Sequence, residues 1–129
     1  MNILATTLTF TVPEPAASAG FLADHFGYRP VLAFDGGAAL EHPAGGPVLF
    51  FLRVGLSTIS PSQRHVTAQG VILALTVSDI EAAVSELQDK GVEPLAGIAQ
   101  DEWGERHVQF SDRNGLTVQL VEWVGERPY

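Results

Sequence analysis

The side chains able to do chemistry are few, and most of them are neutral. The chain has 129 residues with four histidines and no cysteine. Thiol nucleophiles, iron–sulfur clusters and thiolate zinc sites are therefore excluded, and folding depends on no disulfide. One stretch concentrates charge and aromaticity: Asp101-Glu102-Trp103-Gly104-Glu105-Arg106, followed by His107 and Gln109 at the two-residue spacing of one strand face. A second runs Asp112-Arg113-Asn114-Gly115 into an apolar strand with Gln119 in its middle. Alternation puts Thr117, Gln119 and Val121 on one face of that strand, and Val118, Leu120 and Glu122 on the other. Thr7, Thr9 and Thr11 share a face earlier in the chain, as do Ile72, Ala74 and Thr76, while Phe50 and Phe51 point to opposite sides of their strand.

Such faces present small hydroxyls, amides and aliphatics with few titratable groups. They suit a flat or extended organic molecule held by shape and a few polar contacts. Only His107 and Glu41 are placed to carry a proton. Asp101, Glu102 and Glu105 surround Trp103 and favour a cation over its ring. Arg53, inside an apolar strand, either binds a ligand carboxylate or snorkels from the strand end. Arg106 is expected to pair with Asp112 or a backbone carbonyl, and Trp123 and Tyr129 to serve a dimer contact.

The elements that position these residues occur twice. Residues 5–12 read as a strand, residues 15–26 as a helix opened by Pro15 and broken by Gly27, and 28–34, 38–42 and 48–54 as three more strands. After an irregular linker the order restarts: a strand at 71–77, then a helix begun by a Ser78-x-x-Glu81 capping box and ended at Lys90-Gly91. Strands follow at 92–99, 106–110 and 116–123. Val12 and Val77 both close a strand, 65 residues apart, and Gly27 and Gly91 both close a helix, 64 apart. Pro30 and Pro94 each follow their glycine by three. Agreement at independent punctuation points marks a duplicated βαβββ module. The expected organisation is an α+β fold of two tandem βαβββ modules, 1–56 and 71–129, joined by a linker at 57–70 into one structural domain.

Charge narrows the partners. Fifteen acidic residues against seven basic give −8, and from Val71 onward there are 11 acidic against 4 basic. Binding to a nucleic-acid backbone or an anionic membrane surface is disfavoured. A small cationic ligand is attracted if those charges ring a cleft. No run of apolar residues is long enough to span a bilayer, and no basic stretch followed by an apolar run suggests a signal peptide. A cytoplasmic location is expected.

The second half, Val71-Ile-Leu-Ala-Leu-Thr-Val-Ser-Asp-Ile-Glu-Ala-Ala-Val84 with Trp103-Gly-Glu-Arg106 and Phe110-Ser-Asp-Arg-Asn-Gly115, resembles the vicinal oxygen chelate superfamily of glyoxalases, bleomycin-resistance proteins and extradiol dioxygenases. The first half, through Leu8-Thr-Phe-Thr-Val-Pro13 and Phe21-Leu-Ala-Asp-His-Phe-Gly-Tyr28, fits the same pattern. The resemblance implies curved mixed sheets that form a cleft, commonly completed in a homodimer. In enzyme members a metal is bound from the first strand of each half and from a last strand, positions held here by Thr7, Ile72 and Gln119. A hydroxyl, a hydrocarbon and an amide make a poor set, so no metal or other cofactor is expected there. In metal-free drug-binding members a tryptophan in the loop of Trp103 stacks on the ligand. The expected function is metal-free binding of a small, cationic or aromatic natural product, similar to the bleomycin-resistance members. Its ligand-binding residues are Trp103, Gln119, His107, Gln109, Phe50, Thr7, Ile72 and Arg53. The competing expectation is a lyase, isomerase or cyclase, either metal-free or with an atypical metal site.

Overall fold

Alternation and punctuation set two modules in the computed structural model, which describes all residues from Met1 to Tyr129. The chain divides into two compact units, Met1–Gln69 and Gly70–Tyr129. In the first, β1 (Thr7–Val12), α1 (Pro15–His25), β2 (Arg29–Phe34), β3 (Gly37–Glu41) and β4 (Val48–Arg53) build a sheet of order β1-β4-β3-β2. In the second, β5 (Ile72–Thr76), α2 (Ile80–Asp89), β6 (Ala99–Gln100), β7 (Glu105–Ser111) and β8 (Thr117–Trp123) build one of order β5-β8-β7-β6. Each sheet is mixed, because β1 runs parallel to β4 and β5 parallel to β8, while the remaining pairs are antiparallel. The duplicated βαβββ pattern is therefore present in both halves. No helix is long and apolar enough to cross a membrane.

Each unit has its own core. In the first, Phe10 and Phe51 are register partners whose rings stack at 5.3 Å, and Leu22, Leu40 and Leu49 are fully buried around them. The buried residues of α1 are Pro15, Ser18 and Leu22, and Phe26 is buried just beyond its end. Helix α1 stops where Gly27 takes φ +76°, with the His42 ring packed against it. In the second unit Ile80 and Leu87 of α2 are buried, as are Val108, Phe110, Val118 and Leu120 of the sheet. The turn before β8 is held by Asp112, whose Oδ1 accepts from Leu116 N at 2.9 Å, and Gly115 supplies the positive φ.

Two details depart from the sequence reading, each for a local reason. Asp79, not Ser78, caps α2, with Oδ1 accepting from Ala82 N at 3.0 Å. Glu81 is thereby freed from the capping box. The strand expected at 92–99 shrinks to Ala99–Gln100, because Pro94 has no N–H to donate to a ladder. Residues 57–69 lie in the first unit: Ala68 N donates to Thr11 O at 2.7 Å, Gly55 N to Arg64 O at 2.6 Å, and Ile59 is buried.

Arg106, on the α2 side of β7, pairs with Glu81 and Glu122, not with Asp112. Glu122 also accepts from Ile80 N at 2.9 Å, so one carboxylate serves the first turn of α2 and the arginine together. The hydrogen bond from Arg106 holds the Glu81 carboxyl below its ordinary value of 4.5. A carboxyl with a depressed folded value stabilises the fold above its unfolded pKa, and that contribution is lost as pH falls through the folded value. Acid titration of Glu81→Gln is expected to show a flatter loss of stability below pH 4.5 than the native chain. Superimposable acid limbs in the two proteins would contradict this pairing. High salt should shrink the difference, since Glu81 is largely exposed.

Candidate functional site

The face of the second sheet opposite α2 carries a continuous polar array. Register aligns Ala74 with Gln119 and Gln119 with Gln109, then Val121 with His107, then Trp123 with Glu105. All point away from buried Val108, Phe110, Val118 and Leu120, as strand alternation requires. Gln109 Nε2 donates to Gln119 Oε1 at 2.7 Å, and Gln119 Nε2 donates to Glu105 Oε1 at 2.9 Å. Trp103 Nε1 donates to the other carboxylate oxygen, Glu105 Oε2, at 2.9 Å.

The direction of this chain is fixed by charge. An ionised carboxylate only accepts, so Gln119 must turn its amide N–H towards Glu105 and its carbonyl towards Gln109. The Gln119–Glu105 bond bridges the intervening His107–Val121 row, and Val121 beneath it is only 3% exposed. Gln119 is thus a spacer amide with both ends occupied.

A tight hairpin brings further groups to the same corner. Asp101 N donates to Glu105 O at 2.8 Å and Gly104 N to Asp101 O at 3.2 Å, with Gly104 at φ +89°. The turn sets Asp101 opposite Glu105, and β6–β7 pairing sets His107 beside them. One donor atom from each of Asp101, Glu105 and His107 lies within 4.8 Å of the others. His107 Nδ1 stands 3.3 Å from Asp101 Oδ2. The approach is off the direction of a hydrogen bond, so Nδ1 is shut off from solvent without a hydrogen-bond partner. Neither carboxylate pairs with an arginine or lysine, because Arg106 is committed on the opposite face. Two carboxylates that face no arginine or lysine, beside an imidazole, make a set of donors that can hold a cation.

The sequence candidates therefore separate. Trp103, His107, Gln109 and Gln119 come together in the second unit, joined by Asp101 and Glu105, whose carboxylates the sequence reading took only as surroundings for Trp103. Ile72 lies on the same open face, 53% exposed and in register with Thr117. Thr7, Phe50 and Arg53 belong to the first unit. There Thr7 is exposed, Phe50 meets Phe34 at 6.0 Å between ring centroids, and Arg53 pairs with Asp35 at 3.1 Å. Arg53 also lines a shallow pocket with Pro13, Phe34 and Ala38. Glu41, the other expected proton carrier, is held by Arg29 at 3.3 Å. His42 bridges Phe26 O and Ala44 N and is structural. A metal at the family positions does not fit: Ile72 offers no donor atom, and the Gln119 amide is bonded at both ends.

The family described as the glyoxalase/bleomycin resistance protein/dioxygenase superfamily matches residues 4–120. No curated protein matches the chain in sequence. Among solved structures, a glyoxalase/bleomycin resistance protein/dioxygenase from Nocardioides is similar, with 22% identity and a TM-score of 0.77 over 100% of this chain and 89% of that one. Lactoylglutathione lyase from Agrobacterium tumefaciens is similar at 15% identity and a TM-score of 0.72, covering 92% of each chain. TnmS3, an antibiotic binding protein from a Streptomyces species, is similar at 18% identity and a TM-score of 0.72, over 95% of this chain and 98% of that one. At these identities the likeness is one of fold.

Proposed function

Since the chain belongs to the glyoxalase/bleomycin resistance protein/dioxygenase superfamily, we propose that the open face of β5–β8–β7–β6 binds a small organic molecule and acts on it. The reaction class is that of a lyase, isomerase or cyclase, with the Asp101–Glu105–His107 corner as the reacting end. The observation that carries this reading is the convergence of three titratable side chains beside an amide-lined platform. A wall that served only to hold a ligand has no need of two carboxylates and an imidazole gathered at one corner. Lactoylglutathione lyase supports the class as a relative in fold. The protein is expected to work as a cytoplasmic homodimer, which a one-chain mass by light scattering would contradict.

One observation favours a second reading, stoichiometric capture of a cationic or aromatic natural product. Trp103 is 68% exposed although its indole N–H is fixed to Glu105, which leaves a rigid aromatic surface facing solvent. The antibiotic-binding relative supports that reading. A panel of enolisable carbonyl compounds and quinoid, glycopeptide and aromatic antibiotics, followed by tryptophan quenching and by product formation, separates the two. Turnover that falls about 100-fold or more in His107→Ala, with quenching retained, is the expected result. Tight quenching without turnover of any compound would replace the enzyme reading with capture.

A further inference from the structure

We propose that Asp101, Glu105 and His107 form a divalent-cation site at the β6–β7 hairpin, on strands other than those that carry Thr7, Ile72 and Gln119. Its part in turnover rests on the reading above, whereas the binding itself does not.

Geometry is the first argument. Two donors bound to one ion at about 2.0–2.2 Å in a tetrahedral arrangement stand roughly 3.3–3.6 Å apart. His107 Nδ1 and Asp101 Oδ2 stand 3.3 Å apart. They are off-line for a hydrogen bond, and Nδ1 has no other partner. Two groups that converge without a hydrogen bond, and form an ion pair only when the imidazole is protonated, are placed as co-ligands of a third body are.

The outer contacts make the second argument. Glu105 is oriented through both oxygens, by Trp103 Nε1 and by Gln119 Nε2, and Gln119 is in turn fixed by Gln109. Each carboxylate oxygen keeps a second lone pair for an ion. Hydrogen bonds of this kind aim a metal-binding carboxylate and are costly to lose. Charge makes the third. The two carboxylates face no arginine or lysine, and a divalent ion would answer their charge.

A comparison within the same unit sharpens the point. Asp79, Glu81 and Glu122 also converge, yet their charges are answered by Arg106 and by backbone N–H groups of α2. That cluster has no need of an ion and serves as an internal control. One imidazole with two carboxylates suits Zn²⁺, Mn²⁺, Co²⁺ or Ni²⁺, and the absence of thiolates disfavours Cu⁺. Three protein donors leave positions open for a substrate oxygen or water, as reactive rather than structural sites do.

The test uses the full chain, stripped with chelator and titrated with MnCl₂ and with ZnCl₂. The expected result is one ion per chain by calorimetry, a rise in melting temperature, and nitrogen coupling from the imidazole in the Mn²⁺ electron-spin-echo spectrum. Asp101→Asn and His107→Gln should each weaken binding by about tenfold or more. Glu81→Gln should leave it unchanged. Circular dichroism confirms that each variant folds, and the nitrogen coupling reports ligation in the native chain whatever the variants do. No binding by the native chain at 100-fold molar excess of either ion, or binding that survives both Asp101→Asn and His107→Gln, overturns the site. Turnover without any ion would leave the enzyme reading standing and remove the ion's part in turnover. A bound ion without turnover would do the reverse.

Discussion

Phe110→Ala is expected to cost about 3–5 kcal/mol of stability in chemical denaturation, the largest loss of any single side chain in the second unit. Phe110 is fully buried on the α2 side of β7, in register with Val118. Truncation removes the burial of an aromatic ring and leaves a cavity that a strand paired with β8 along its whole length cannot close. The consequence reaches the site because β7 is one strand with two faces. Phe110 and Val108 anchor it from below, while Glu105, His107 and Gln109 stand on top. A looser β7 moves those three together, so ligand or cation binding should weaken along with stability. Leu95→Ala, at a side chain 62% exposed, is the control and should change stability by less than about 0.5 kcal/mol. A Phe110→Ala loss below about 1 kcal/mol would mean that β7 is not anchored from that face.

The duplication was legible because it is written in residues whose backbone chemistry leaves little choice. Gly27 and Gly91 both take positive φ at the end of a helix, as the paired spacing predicts. Alternation in β8 was equally legible, since Val118 and Leu120 are buried on the face opposite Gln119. Other details depended on partners remote in sequence. Ser78 and Asp79 are both good caps, and the choice goes with Glu122, which receives Ile80 N from 42 residues away. Arg106 found Glu81 and Glu122 rather than Asp112 for a related reason: strand alternation turns it towards α2. The Asp101–Glu105–His107 corner was the least legible part. In sequence Asp101 and Glu105 read as charges that favour a cation over Trp103, and only the turn at Gly104 sets them face to face. Sequence spacing places His107 beside Gln109 alone, whereas the fold adds the two carboxylates.

Gln119→Glu is expected to lower stability at pH 7 by about 1–3 kcal/mol, with the deficit shrinking as the solution is acidified. In the native chain the Gln119 amide N–H meets Glu105 Oε1 at 2.9 Å. A glutamate there sets one carboxylate against another, with Asp101 and His107 close by. Two carboxylates at that separation cannot both stay ionised cheaply, so one of them titrates above the ordinary carboxylate range in the folded protein. The folded state then binds more protons than the unfolded chain over that interval, and stability falls as pH rises through it. Gln119→Leu is the informative comparison. It strips the same hydrogen bonds from Glu105 and Gln109 but adds no charge, so its cost should vary little between pH 5 and pH 7. Divalent cation should add more stability to Gln119→Glu than to the native chain, because the new carboxylate either joins the Asp101–Glu105–His107 donors or is screened by the ion they hold. Thermal melts of the three proteins at both pH values, with and without Zn²⁺, check all of this in one experiment. Equal behaviour of the glutamate and leucine variants would mean that residue 119 does not face Glu105, and the amide chain across the open sheet would have to be redrawn.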